Sequence, residues 1–404
     1  MKTKKSEKIE EIINSRYIER IYPSKEKLKK VLSSQEKITI YVGVDPTGAD
    51  LHLGHSTNFL FLKKLQRLGH KVIFLIGDFT AQIGDPTGKS KSRKPITHKQ
   101  VLINCKEYKK QVQKILEFGG KNAVIFKFNS KWLAPLNLEK IIGLMSRATV
   151  GQMIKRDMFR KRIKEKKEIF FHEFLYPLLQ GYDSVAMRVD AEVGGNDQTF
   201  NMMVGRDLVK DYLDKEKIVI TTKLLINPKT QKKLMSKSEG GYVALSDNPN
   251  QMYGKVMALP DEVISSVFSL CTEVSDSDIK KIEKELKQKS INPKNIKSKL
   301  AKEIVKIYYG GKFAEKAEKE FSKIFKEKKE PSVVVKVKIK EKEINILDLL
   351  IKTGQVDSKA NAKRLVIQKA IKIEGKVKED WREQIKIKKG VIIKVGKRRF
   401  VKLI

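Results

Sequence analysis

The sequence predicts an α/β protein: a doubly wound parallel sheet first, an α-helical region next, and a small basic α+β module at the end. Three observations carry that expectation. From residue 1 to about 227, short apolar runs alternate with segments of helical periodicity, the pattern of parallel strands joined by crossover helices. Two of those runs are followed by glycine- or histidine-bearing segments, placed at the strand ends where such sheets bind ligands. Beyond Asn227 the apolar β-runs give way to helix-like sequence, until a lysine- and glutamate-rich stretch, Lys326 to Glu330, and Pro331 mark a linker.

The elements follow in order. Met1 to Gln35 mixes Lys, Glu and Arg in an amphipathic helical pattern. It lacks the apolar stretch of a secretory signal, and its acidic residues argue against a transit peptide, so it reads as mature protein. The expected strands are Ile38 to Val44, Lys71 to Ile76, Ala123 to Phe128, Arg188 to Val193 and Ile218 to Thr221. Helical periodicity runs from about His55 to Leu68, from Lys99 to Phe118, and through Phe170 to Met187. After a lysine loop, Met235-Ser236-Lys237-Ser238, and a turn at Asp247-Asn248-Pro249, the chain is helix-like to about Lys329, with interruptions at Pro260 and Pro293. From about Ile344 to Ile404 there are two short helical patterns and then short strands. Three domains are expected: 1–227, 228–330 and 331–404, the last with its core at about 344–404. There is no internal repeat.

Composition narrows the function classes. The 404 residues, 40% of them hydrophobic, suit a soluble globular protein, and no apolar run is long enough to span a bilayer. Two cysteines, Cys105 and Cys271, stand far apart without a Cys/His cluster, which excludes a disulfide framework or a zinc site and fits a reducing cytoplasm. A net charge of +38 with pI near 9.9 points to an anionic partner such as nucleic acid. Much of that excess is scattered lysine, which biased composition alone could produce. Clustering is the better signal, and it is strongest in Lys386-Ile387-Lys388-Lys389 and Lys397-Arg398-Arg399.

Candidate site residues arise from spacing. Tyr41, Gly43 and Asp45 lie two apart, so one face of the first strand carries a phenol, a gap and a carboxylate. Alone, Tyr41 would read as an ordinary strand aromatic. Tyr176, Gln180 and Asp183 fall at i, i+4 and i+7 on one helix face, facing either solvent or a polar pocket. The apolar neighbours Phe171, Phe174, Leu178, Leu179 and Val185 favour the pocket. Gly194-Gly195-Asn196-Asp197-Gln198 ends a strand and precedes an apolar helix, so backbone can approach a nucleotide while Asp197 accepts from ribose hydroxyls. His52 and His55, in His52-Leu53-Gly54-His55, sit at a helix start, which attracts phosphate.

Taken together, His52-Leu53-Gly54-His55 and Met235-Ser236-Lys237-Ser238 resemble the HIGH and KMSKS signatures of the class I aminoacyl-tRNA synthetases. Reading outward, Tyr41 to Thr47, Ile83 to Lys89, Tyr176 to Asp183 and Gly194 to Gln198 are similar to the bacterial tyrosyl-tRNA synthetases, over nearly the whole chain. The first position of the second pentad is Leu234 rather than lysine, with Lys233 just before it; Lys233 is expected to substitute in part.

The resemblance implies a Rossmann-like catalytic domain and ATP-dependent activation of L-tyrosine, then transfer of the tyrosyl group to tRNA(Tyr). In it, Tyr41 and Asp183 take the phenol hydroxyl, while Asp85, Tyr176 and Gln180 surround the α-ammonium. Gly195, Asp197 and Gln198 contact the ribose and carboxylate, and Asp45 belongs to the ATP side. His52 and His55 meet the phosphates, and Lys237 with Lys89 and Arg93 closes over the leaving pyrophosphate. Discrimination against phenylalanine then follows from leaving buried polar groups unpaired. Mg2+ enters with ATP; no tightly bound cofactor and no dedicated metal site is expected. The tail is similar to a small RNA-binding domain of a ribosomal protein, with Ser358 capping a helix that presents Lys359, Lys363 and Arg364, and a hairpin turning at Glu374-Gly375. A homodimer follows from resemblance alone. Two other readings stay open: a tryptophanyl-tRNA synthetase, against which the Tyr41 and Asp183 pair argues, and a synthetase-like RNA-binding protein without activity.

Overall fold

In the computed structural model, residues 2–87, 96–235, 242–288, 292–325, 335–339, 341–356, 358–396 and 399–404 are described. Six strands make one sheet: β1 (Ile18–Tyr22), β2 (Thr39–Val44), β3 (Lys71–Ile76), β4 (Ile125–Phe128), β5 (Ala191–Gly195) and β6 (Ile218–Thr222). Their order is β1-β6-β5-β2-β3-β4, with β1 antiparallel at the edge and the others parallel. The connections run outward in one direction from β2 and in the other from β5. Their shared border is therefore the topological switch point, where the strand ends open a crevice.

The expected strands are present, each within a few residues of its predicted bounds. The N-terminal segment differs. It is not one amphipathic helix but Lys2–Ile13, then β1, then Lys25–Ser33 with Ser24 as its cap. Ile18 to Tyr22 becomes a strand because it pairs with β6, a partner that local periodicity does not report. The predicted Lys99 to Phe118 helix is likewise two pieces, His98–Cys105 and Tyr108–Val112.

The Phe171–Met187 helix carries the predicted polar face through an internal Pro177. Its start is fixed by a buried two-pronged ion pair. Arg162 Nη1 and Nη2 donate to Glu173 at 2.6 and 2.8 Å, and Glu173 also accepts from the Phe170 backbone at 3.0 Å. Removing one partner of such a pair costs about 3–5 kcal/mol. Against this helix packs Thr199–Leu213, closely enough that a Cβ on Gly181 would lie 3.1 Å from the Gly205 backbone.

The chain forms two compact units, Met1–Glu318 and Lys319–Ile404. The helices between Pro249 and Tyr309 are built into the first: Ser56 and Tyr308 hydroxyls meet at 2.5 Å, and Lys114 donates to Tyr309 at 2.6 Å. Pro293 begins a helix at its first turn instead of interrupting one. In the second unit, β7 (Val335–Val337) and β8 (Glu343–Asn345) precede the helices Ile346–Lys352 and Lys359–Ile367. There follow β9 (Ile371–Ile373), β10 (Lys376–Lys378), β11 (Gln384–Lys386), β12 (Ile392–Val395) and β13 (Arg399–Leu403). A five-stranded sheet, β10-β9-β12-β13-β7, and the β11-β8 pair enclose a core that includes Ile346, Leu350, Val366, Ile371, Ile393 and Val401. Glu374 and Gly375, both at positive φ, make the predicted hairpin turn. The linker residues 326–334 lie outside the described residues.

Candidate active site at the strand ends

Tyr41 on β2 and Asp183 on the Phe171–Met187 helix are both buried on the same side of the sheet. The Tyr41 hydroxyl lies 2.9 Å from Ser184 Oγ. Asp183 accepts from Trp132 Nε1 at 2.8 Å and from Asn129 Nδ2 at 3.2 Å. Burial pushes the Asp183 carboxyl well above the usual carboxylate range, against the pull of those two donors; burial and the nearby Glu192 likewise push the Tyr41 phenol up. Trp132 packs against Tyr41, Ile73 and Leu75, giving an aromatic and aliphatic wall with a polar end.

Tyr176 donates to Asp45 at 2.8 Å, and Thr80 donates to the other Asp45 oxygen at 2.7 Å. Asp45 sits so close to the turn after β3 that a Cβ on Gly77 would meet its Oδ1 at 2.0 Å; only glycine fits there. Gln198 donates to Asp85 at 2.7 Å, and Asn201 donates to both Gln198 and Gln180 at 3.0 Å. Gln180 in turn donates to Glu192 at 3.1 Å. The predicted ammonium-side residues thus fall into two hydrogen-bonded groups, Tyr176 with Asp45 and Gln180 with Gln198 and Asp85.

His52 is the cap of the Leu53–Arg67 helix. Its Nδ1 accepts from the Gly54 backbone at 3.2 Å, and His55 Nδ1 accepts from the His52 backbone at 3.2 Å. The His52 Nδ1 accepts, so that ring presents an Nε2 proton that can go to a phosphate oxygen, whereas His55 Nδ1 also lies 3.3 Å from the His52 carbonyl and either tautomer satisfies it. A Cβ on Gly54 would lie 3.0 Å from the His52 ring, so the small residue between the histidines lets that ring fold onto the helix end. The backbone of Leu51 to Leu53 pairs with Val243 to Leu245: Leu53 donates to Val243 at 3.1 Å and Leu245 to Leu51 at 2.8 Å. The segment following the lysine loop is thereby tied to the histidine cap.

β5 ends at Gly195, and Asp197 and Gln198 follow in a 3-10 turn, as expected. Lys233 forms an ion pair with Asp197. Lys89, Arg93 and Lys237 lie outside the described residues. In the second unit Ser358 accepts from Asn361 N at 3.2 Å and caps its helix. Lys359 pairs with Asp348 at 2.7 Å, Lys363 lies 3.9 Å from the Trp381 ring centroid, and Arg364 donates to Asn361 at 2.9 Å; all three are exposed.

Sequence reasoning missed Trp132 and Asn129, which orient Asp183, and Thr80, which holds Asp45. Asn129 directly follows β4 and Trp132 is one of two tryptophans in the chain; position at a strand end was the available signal. Ser184, Glu192 and Lys217 gave none.

Residues 33–326 match the family described as tRNA synthetases class I (W and Y). The chain is 40% identical over 395 residues to tyrosine--tRNA ligase 2 of Clostridium acetobutylicum, covering 98% of this chain and 96% of that one. It is 41% identical over 380 residues to the tyrosine--tRNA ligase of Thermotoga maritima, covering 94% of each. A C-terminally truncated mitochondrial tyrosyl-tRNA synthetase from Aspergillus nidulans shares the fold, with a TM-score of 0.64 at 23% identity over 80% of this chain and 99% of that one. A family match over residues 33–326, with relatives about 40% identical over more than nine-tenths of its length, makes the chain a member of the W and Y family of class I tRNA synthetases.

Proposed function

We propose that this protein is a tyrosine-tRNA ligase whose crevice between β2 and β5 activates L-tyrosine. The observation that carries this reading is the buried Tyr41 and Asp183 pair, one end of a wall otherwise aromatic and aliphatic. A phenol both donates and accepts, and this end supplies a partner for each. An indole would meet only one of them, which disfavours tryptophan.

The substrate carboxylate attacks the α-phosphorus of ATP, the bond to the β-phosphate oxygen breaks, and pyrophosphate leaves. Tyrosyl-adenylate then passes its acyl group to the terminal ribose of tRNA(Tyr), releasing AMP. No side chain need act as nucleophile; the enzyme positions the reactants and stabilises charge. His52, through Nε2, and His55 meet phosphate, Asp45 and Asp197 with Gly195 serve the nucleotide, and Asp85, Tyr176, Gln180 and Gln198 serve the amino acid. Lys237, Lys89 and Arg93 cover the leaving pyrophosphate, and Mg2+ travels with ATP as its counter-ion. Lys233, already reaching Asp197, supplies a cation beside the nucleotide in place of the one absent at Leu234.

Residues 1–227 carry activation, 228–330 the lysine loop and a helical region, and 331–404 the tRNA contact through Ser358, Lys359, Lys363 and Arg364. Leu138, Ile142 and Met145, exposed at i, i+4 and i+7 on one helix, and the 86% exposed Phe171 support pairing with a second copy as a homodimer. Two free, buried cysteines fit the cytoplasm, and among the described residues no helix is long and apolar enough to cross a membrane. ATP-pyrophosphate exchange with each of the twenty amino acids tests the reading. Exchange that depends on tyrosine alone is expected; dependence on tryptophan, or no exchange, would overturn it.

A further inference from the structure

Beneath the pocket lies an ion pair that the activation chemistry leaves unused. Lys217, immediately before β6, is 0% exposed, and Glu192 on β5 is 3% exposed. Lys217 Nζ donates to Glu192 at 2.5 Å and to Ser184 Oγ at 2.8 Å. Room for the lysine comes from Gly205, where a Cβ would lie 2.6 Å from Nζ. Tyr41 and Glu192 are register partners on adjacent strands, so the pair stands directly beside the phenol-reading residue.

Donor counting narrows the hydrogen positions, and the contact lengths favour one direction. An ammonium only donates, so Ser184 Oγ must accept from Lys217. Ser184 then has one proton to give, and Tyr41 at 2.9 Å is nearer than Glu192 at 3.5 Å. With its oxygen occupied by that proton, Tyr41 has its own to give, to Glu192 beside it or to a ligand. Asp183 accepts from Trp132 and Asn129 and is set to accept again.

We propose that Lys217 is a positioning residue for substrate choice: through Ser184 it polarises Tyr41 into a donor, so that the pocket requires a phenol able to accept from Tyr41 and donate to Asp183. The inference rests on the tyrosine-site reading above. Burying an ammonium costs several kcal/mol, and a one-way donor chain accounts for placing it here in a way that apolar packing would not.

The test is ATP-pyrophosphate exchange with tyrosine and phenylalanine. Ser184→Ala cuts the chain and leaves the ion pair; the double variant Lys217→Met with Glu192→Gln removes both charges at near-constant volume. Each is expected to lower kcat/KM for tyrosine by about tenfold, mostly through KM, while phenylalanine changes by less than about twofold. Combining all three changes should lower it no further than Ser184→Ala does. A merely structural role would depress both amino acids together, and that result, or an unchanged ratio, overturns the proposal. If the double variant does not fold, Ser184→Ala decides alone. Asp183→Asn in the same assay separates the two levels: if it too leaves selectivity intact, the tyrosine site itself is misassigned, whereas its collapse beside unaffected Ser184 and Lys217 variants refutes only the relay.

Discussion

Asp183 illustrates how one residue's surroundings set its working range. Its folded pKa is raised by burial, so on acidification the charged acceptor is lost at a higher pH than for an ordinary aspartate near 4. KM for tyrosine should therefore rise on an acid limb lying above that range, while phenylalanine activation, which does not use the contact, shows none. Asp183→Ala should abolish the limb and reduce tyrosine-over-phenylalanine selectivity by about 10–100-fold, the worth of one hydrogen bond to a charged group. Matching limbs for both amino acids would assign the titration elsewhere. Gly54 offers a second test at this scale. Alanine is the better helix former, yet its Cβ would press on the His52 ring at 3.0 Å. Gly54→Ala should keep or raise the melting temperature while slowing adenylate formation about tenfold, with tyrosine affinity by equilibrium titration unchanged. A variant equally fast would mean that the ring's seat on the helix end is immaterial.

At the level of elements, what the sequence disclosed depended on whether an element is specified locally. β2, β3, β5 and β6 are apolar runs bounded by turns and were legible as strands. β1 was not, because Ile18 to Tyr22 also fits a helical pattern and is made a strand by pairing with β6. Likewise Tyr176, Gln180 and Asp183 stood out as a polar stripe on an otherwise apolar helix, whereas Asn129 and Trp132 come from a short turn without periodicity, and Lys217 looked like any lysine flanking a strand. The helix crossing above that lysine is specified by absence of side chain. Gly205→Ala would place a methyl group 2.6 Å from Lys217 Nζ and 3.1 Å from the Gly181 backbone. It should destabilise the protein by about 1–3 kcal/mol, read as a lower melting temperature; an unchanged melting curve would show that the two helices have slack.

For the whole molecule, the two compact units invite separation of the two chemistries. Truncation after Lys329 should leave tyrosine-dependent pyrophosphate exchange nearly intact and sharply reduce tyrosylation of tRNA, and in the full chain tRNA affinity should fall steeply with added salt as counterions are released. A folded truncated protein that charges tRNA as well as the full chain would remove the tail from that role. The sheet order carries one more consequence, for biosynthesis. β1 leaves the ribosome first, yet its partner Thr222 is made some two hundred residues later. Until β6 emerges, the earliest strand has nowhere to dock. Once β6 has joined β5, it presents an open row of backbone donors and acceptors unless β1 is there to cover them. The sheet is thus sealed by a segment that must wait through most of the first unit's synthesis, and losing residues 1–22 would surrender the seal, leaving a chain prone to join edge to edge with its neighbours.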